Sequence, residues 1–179
     1  MLPAKTFESF KKENPHLDDV WPFLKLLQEE SDRGSVLIST GFLEQQLKDV
    51  LTAFMQEVPA KAYLLGGANA PLGTFSSRIS ACFTLGLITD DEHHDLNQLR
   101  RIRNAFAHDI HTTLNMQSVK DRCATLKMKA HDYDSEEMGE VRMTAQGQFH
   151  TAAVALIMNF VNRPSYVAKQ RRKPQDWPY

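Results

Sequence analysis

The stretch that decides the fold reads LNQLRRIRNAFAHDIH and runs from residue 96 to residue 111. Its apolar residues recur every three or four positions, which is the spacing that places them on one side of an α-helix. A helix with one apolar side packs that side against other helices. The stretch therefore predicts a helix, over residues 89–111, at the centre of a helical bundle. Its apolar stripe consists of Leu96, Leu99, Ile102, Phe106 and Ile110.

Helix-start and helix-stop signals mark further helices. Ser31, Thr74 and Thr89 are predicted N-caps, because a hydroxyl oxygen can accept a bond from a free N–H group in the first turn. Gly86 is expected to end the helix before it in the left-handed conformation, which glycine adopts without steric cost. No segment has the sustained alternation of apolar and polar residues that is typical of a strand. Helices are predicted over residues 17–30, 31–57, 74–85, 89–111, 116–130 and 144–162.

The predicted fold class is all-α, an antiparallel bundle of about six helices. A chain of 179 residues suits one domain, and residues 1–168 are predicted to form it. The glycine- and proline-rich segment 58–73 is expected to be a structured loop, and the polar segment 131–140 an exposed one. Residues 169–179 are interpreted as a basic, flexible tail in solvent, with contact to RNA or an acidic partner as the alternative.

Composition narrows the class of protein. A net charge of -1 argues against a uniformly basic nucleic-acid binder, although a local patch can still bind phosphate. The cysteines Cys82 and Cys123 both lie in apolar helical patterns and are predicted to be reduced core residues. The first residues lack the apolar region of a secretion signal, and no apolar run reaches the roughly 18 residues of a membrane-spanning helix. A cytoplasmic protein without membrane contact is expected.

A second stripe on the helix over residues 89–111 is polar. It comprises Arg101, Asn104, His108 and His111. Their side chains offer hydrogen-bond donors, a hydrogen-bond acceptor and groups that titrate near neutrality. Arg100, Arg101 and His111 are therefore candidate contacts for RNA or phosphate. The structural alternative is that Arg103 extends past the edge of the core to a carboxylate while Asn104 and His108 bond nearby loop carbonyls.

Two family resemblances rest on this helix and the segments before it. The string RNAFAH, residues 103–108, resembles the motif of HEPN (higher eukaryotes and prokaryotes nucleotide-binding) domains, which implies a HEPN-like helical bundle. The chain also resembles the mannitol operon repressor family, MltR. Four segments carry this resemblance: ESDRGSVLIST (30–40), APLGTFSSRI (70–79), LGLITDDE (85–92) and LRRIRNAFAHD (99–109). MltR proteins are described as negative regulators of a sugar-alcohol operon, whereas many HEPN proteins are dimeric, metal-independent ribonucleases.

The HEPN resemblance implies candidate catalytic residues, namely Arg103, Asn104 and His108. Arg103 would steady the scissile phosphate, and His108 would act as general base or acid. On a straight helix, however, residues five apart point roughly 140° away from each other, and Arg103 falls beside the apolar stripe. A shared site then requires either a distorted turn near His108 or a symmetric homodimer in which each chain completes the other's pocket.

These observations leave two functional hypotheses. The first is an MltR-like negative regulator of transcription that acts through a protein partner; the alternative is the HEPN-type endoribonuclease, with RNA as partner. Direct DNA binding is not expected, because Asp90, Asp91 and Glu92 open the helix after the Gly86 turn and would be repelled by phosphates. No cofactor and no metal are expected, since the adjacent His93 and His94 project in different directions from a helix.

Overall fold

The computed structural model describes residues 20–67, 69–135 and 139–178. Two strands of three residues each, β1 (Tyr133–Ser135) and β2 (Gly139–Val141), pair antiparallel. The other elements are helices, which confirms the predicted all-α bundle. They are α1 (Val20–Glu29), α2 (Asp32–Phe54), α3 (Pro59–Leu65), α4 (Phe75–Thr84), α5 (Asp90–His108), α6 (Gln117–Thr125), α7 (Ala145–Val161) and α8 (Arg163–Ala168).

Helix α2 lies at the centre of the bundle and packs against α4, α5, α7 and α8. Helix α5 runs antiparallel to α2, since Arg33 at the start of α2 bonds carbonyls at the end of α5. Helices α2 and α7 run in the same direction, because Ser35 bonds His150 and Gln46 bonds the Ile157 carbonyl further along both. No helix among the described residues is both long and apolar enough to cross a membrane.

The apolar stripe of α5 is buried for four of its five predicted members. Leu96, Leu99, Ile102 and Phe106 are each at most 1% exposed, as the spacing predicts. Ile110 is 82% exposed, so its assignment to the core is wrong. The reason is that α5 ends at His108: Asp109 already has extended backbone angles of φ -131° and ψ 118°.

The predicted helix starts are confirmed at three hydroxyl residues. Ser31, Thr74 and Thr89 each accept a bond from a backbone N–H in the first turn of α2, α4 and α5 respectively. Gly86 has a φ of 69°, as expected for the residue that ends α4. The Leu87 N–H then bonds the Cys82 carbonyl at 2.8 Å, which closes the turn between α4 and α5.

Elsewhere the boundaries differ from the predictions. Helix α3 occupies the first part of the predicted loop 58–73, because Pro59 sits in a first turn, where its missing N–H costs no bond. Pro164 likewise lies in the first turn of a helix, at the start of α8. The predicted loop 131–140 contains most of the β1–β2 hairpin, and the helix predicted over 116–130 ends at Thr125.

The start of the basic tail is attached to the bundle. Arg171 donates through Nε and Nη2 to the Ala53 carbonyl, at 3.0 and 2.8 Å, and its Nη1 lies 3.3 Å from Glu57. Arg171 thus contacts the bundle and is not wholly in solvent, whereas the flexibility of residues 169–179 stays a prediction. Of the helix predicted over 17–30, residues 17–19 lie outside the described part of the chain.

We expect the two thiols of the folded protein to be inert toward a disulfide-exchange reagent. Both cysteines are fully buried, and burial raises the pKa of Cys82 to about 12 and that of Cys123 to about 11. Near pH 8, at most about one thiol in a thousand would be ionised, and the thiolate is the reactive form. Colour release from dithionitrobenzoate should be negligible before denaturant is added and should reach two equivalents afterwards. Rapid labelling of a chain with unchanged circular dichroism would contradict this burial.

Candidate functional site

The candidate site comprises the C-terminal half of α5 and the loop 109–116 that leads to α6. Helix α5 begins with reciprocal bonds: the Glu92 N–H donates to Thr89 Oγ1 at 3.2 Å, and the Thr89 N–H donates to Glu92 Oε2 at 2.9 Å. Its regular bonding continues to the end, where the Asp109 N–H donates to the Ala105 carbonyl at 3.1 Å. Side chains on α5 therefore follow ordinary helical geometry as far as His108.

The polar side of α5 faces solvent. Arg101 and His108 are exposed, and Asn104 is half-buried between them. His111 is also exposed, but it lies beyond the end of α5, and its backbone N–H donates to Asp109 Oδ1 at 2.9 Å. The structure thus groups Arg101, Asn104 and His108 on one helix face and places His111 on the loop that follows.

The structure brings Arg103 and Asn104 together and leaves His108 apart from that pair. Arg103 is half-buried, and its Nη1 donates to Asn104 Oδ1 at 3.2 Å. Because α5 is regular up to His108, there is no distorted turn that would bring Arg103 and His108 to the same side. Within one chain these two residues do not form a shared site, and the composite site of a homodimer stays a prediction.

Arg100 is half-buried beside the same face. Its Nη2 lies 3.5 Å from Asn97 Oδ1, a long contact, and its Nε is buried with no hydrogen-bond partner among the described residues. A buried guanidinium N–H without a partner is costly, since it has lost its water. Arg100 therefore stays a candidate contact for phosphate.

Arg33 is the residue of this site that the sequence did not reveal. Its guanidinium donates to the carbonyls of Phe106, Asp109 and Ile110, the last two at 2.9 Å, and its central carbon lies 5.4 Å from the centre of the Phe106 ring. It thus satisfies free carbonyls at the end of α5. The sequence did contain one signal. A positive charge such as Arg33 in the first turn of a helix is unfavourable beside the positive end of that helix's dipole, which indicates that the charge has a partner outside the helix.

A residue of the loop after α5 also anchors the loop to that helix. The Thr112 hydroxyl, in a residue only 7% exposed, donates to the Ala105 carbonyl at 3.2 Å. Neither Asn104 nor His108 bonds a loop carbonyl in the described part of the chain; the carbonyls of Asp109 and Ile110 accept bonds from Arg33 instead. The loop therefore displays Ile110 on a firmly anchored backbone, beside the exposed His108.

The acidic and histidine-rich first turns of α5 serve the fold. The His93 ring stacks on Phe83 with centroids 4.0 Å apart, and His94 Nε2 contacts the Thr125 carbonyl at 3.1 Å. The buried Asp95 carboxylate accepts the N–H groups of Lys127 and Met128, both at 2.8 Å. Across the described residues, no group of three His, Cys, Asp or Glu side chains is placed to hold a metal ion.

The segments that carry the MltR resemblance contact one another. Arg78 of the SSRI string donates through Nε to the Leu72 carbonyl of the PLG string at 2.9 Å. It also lies 3.5 Å from the Glu44 carboxylate on α2. Leu87 and Ile88 of the LGLI turn are buried. These strings therefore fix the packing of α4 against its neighbours.

Comparison with known proteins yields one structural match. No family model matches the chain, and the curated proteins contain no match to it. Among solved structures, the chain is similar to MtlR in the X-ray structure of the MtlR-HPr complex from Escherichia coli. The TM-score is 0.53 at 18% sequence identity, over 81% of this chain and 95% of that chain. The two proteins share a fold, which supports the resemblance to the MltR family; the HEPN motif is not confirmed by it.

Proposed function

We propose that the chain is an MltR-like negative regulator of transcription that acts by binding a protein partner. The observation that carries the proposal is the fold shared with MtlR, a protein whose structure was determined in complex with HPr. An HPr protein is therefore the first partner to test with this chain.

The charge at the start of α5 supports a protein partner over DNA. Helices α4 and α5 are joined by the tight turn at Gly86, an arrangement of the kind that DNA-binding proteins use. Asp90 and Asp91 are exposed at the start of the second helix, where a DNA-binding protein would contact the duplex. Phosphates would repel both carboxylates.

The loop 109–116 is the surface we assign to the partner. Ile110 is 82% exposed, whereas the surrounding His108, Asp109 and His111 are polar and exposed, so an apolar contact has a polar rim. Arg33 and Thr112 hold the backbone in place, so little conformational entropy would be lost on binding.

Substitution of Ile110 with aspartate is expected to weaken binding of HPr at least about tenfold, since it places a charge at the apolar centre of the contact. Isothermal titration calorimetry of purified chain with purified HPr measures this. Tyr166→Asp is the matched control, because Tyr166 is 62% exposed on α8, outside the loop. Equal loss of affinity in both variants would contradict the assigned surface, and no heat of binding with the unmodified chain would contradict HPr as partner.

The second candidate function is a metal-independent endoribonuclease, favoured by the contact between Arg103 and Asn104 and by the exposed His108 one helical turn from Asn104. In that reaction His108 would remove the proton of a ribose 2′-hydroxyl, whose oxygen attacks the adjacent phosphorus and displaces the 5′-oxygen. The leaving oxygen takes up a proton from an acid. Arg103 of a second copy would neutralise the phosphate charge.

An assay on single-stranded RNA in the presence of a chelator separates the two functions. If the chain is a nuclease, His108→Ala and Arg103→Ala should each lose most of the cleavage, while Arg101→Ala should keep more of it. Equal cleavage by wild type and all variants indicates a contaminant and contradicts this second function. A regulator without nuclease activity gives no cleavage with any of them.

A further inference from the structure

A cavity of about 450 Å³ lies among α1, α2 and α7, away from the loop 109–116. Leu27 of α1, Ser39 of α2 and five residues of α7, from His150 to Ala155, line it. The small side chains Ala153 and Ala155 leave the space open. The volume lies within the range of about 300–1,000 Å³ that is typical of small-molecule sites.

The hydroxyl groups in the lining are already bonded within the protein. Ser39 Oγ donates to the Val36 carbonyl at 3.4 Å. Thr151 Oγ1 donates to the Gly147 carbonyl and accepts the Ala130 N–H, both at 2.8 Å. The remaining polar group is the imidazole of His150, of which only Nε2 has a hydrogen-bond partner among the described residues, Ser35 Oγ at 3.0 Å.

Ser35 of α2 occupies one nitrogen of the His150 ring. Ser35 Oγ lies 3.0 Å from the Asp32 carbonyl oxygen and 3.0 Å from His150 Nε2. Nδ1 is therefore the ring nitrogen left to bond a ligand within the described part of the chain. Burial lowers the pKa of His150, and the Asp32 carboxylate only partly opposes this, so the ring is neutral near pH 7.

We propose that this cavity binds a small, mainly apolar molecule that bears no negative charge and carries one hydroxyl group, which forms a hydrogen bond with Nδ1 of His150. The lining sets both parts of this chemistry. Leu27, Ala153 and Ala155 offer only apolar surface, and none of the described lining residues bears a full charge. An anionic ligand would lose its hydration shell, and the described lining residues offer no positive charge to replace it.

Titration of the 179-residue chain with 1-hexanol tests this, with the Ala153 and Ala155 methyl signals followed by NMR slightly above neutral pH. Saturable shifts are expected with 1-hexanol and at least about tenfold weaker ones with hexanoate, which has the same chain length and a charge. Equal affinity for both, or no saturable shift with 1-hexanol, would overturn the proposal.

Two variants locate the site. Ala155→Leu fills the cavity from a half-buried position and should remove hexanol binding, whereas Ala60→Leu makes the same change at an exposed position on α3 and should not. His150→Phe keeps an aromatic ring without the ring nitrogens and should lower hexanol affinity about tenfold. Hexanol binding that survives both Ala155→Leu and His150→Phe would show that the alcohol binds elsewhere and would overturn the assignment.

Discussion

Replacement of Glu92 with alanine should lower the free energy of unfolding by about 3–5 kcal/mol, because it removes one partner of a buried ion pair. For a chain of this size, such a loss lowers the melting temperature by on the order of 10 °C. Thermal unfolding followed by circular dichroism, together with urea denaturation, measures the effect.

Three N–H donors form hydrogen bonds to the Glu92 carboxylate. Arg163 donates to it through Nη2 at 2.6 Å and Nη1 at 3.1 Å, and the Thr89 N–H donates to it at 2.9 Å. Glu92 itself is only 2% exposed. Without the carboxylate, the Arg163 guanidinium would keep its bond to the Leu87 carbonyl but would face no opposite charge from α5. The start of α5 and the α7–α8 junction would both loosen.

Two control variants separate the ion pair from the general effect of an acid in a first turn. Asp90→Ala removes an exposed carboxylate from the same turn and should change stability far less than Glu92→Ala. Glu92→Gln keeps an oxygen for the Thr89 N–H and should fall between the two. If Glu92→Ala were no less stable than Asp90→Ala, the ion pair would contribute nothing to stability.

The fold was predictable where one local signal was enough. The spacing of Leu96, Leu99, Ile102 and Phe106 identified the buried side of α5, and the hydroxyl residues before α4 and α5 marked their first residues. The ends of helices were predicted less well. Helix α5 stops at His108 although Ile110 continues the apolar spacing, and the Asp109 and Ile110 carbonyls bond Arg33, which lies more than seventy residues earlier. A spacing pattern within one segment cannot show such a contact.

The candidate site was predictable only in part, for the same reason. Helical geometry placed Asn104 and His108 on one polar face and turned Arg103 away from His108, and the regular α5 agrees with this geometry. The exposure of Ile110 and the role of Arg33 depend on how α2 packs against the end of α5. Residues at such junctions lack a periodic signal, since their partners lie on another helix.

Replacement of Arg33 with methionine is expected to release the loop 109–116 while the bundle stays folded. Methionine retains an apolar side chain beside Phe106 but removes the donors to the carbonyls of Phe106, Asp109 and Ile110. Bonds from a charged donor contribute more than neutral ones, so we expect a loss of about 2 kcal/mol in the stability of this region. Arg33→Lys should recover only part of it, because one ammonium group lacks the planar fork of the guanidinium.

Hydrogen exchange shows whether the loss is local. In Arg33→Met, the amides of Asp109, His111 and Thr112 should exchange at least about tenfold faster, whereas amides in the middle of α2 and α7 should keep their protection. Arg101→Met is the matched control, since it removes the same charge from an exposed position on α5 and should leave these amides unchanged.

The same pair of variants connects the loop to partner binding. If the loop binds HPr as a preformed surface, Arg33→Met should weaken binding about tenfold through the cost of ordering the loop again, although Arg33 is not assigned to the contact itself. Arg101→Met should bind with nearly wild-type affinity. Faster exchange in the loop with unchanged affinity for HPr would separate the two properties and place the partner on another face of the bundle.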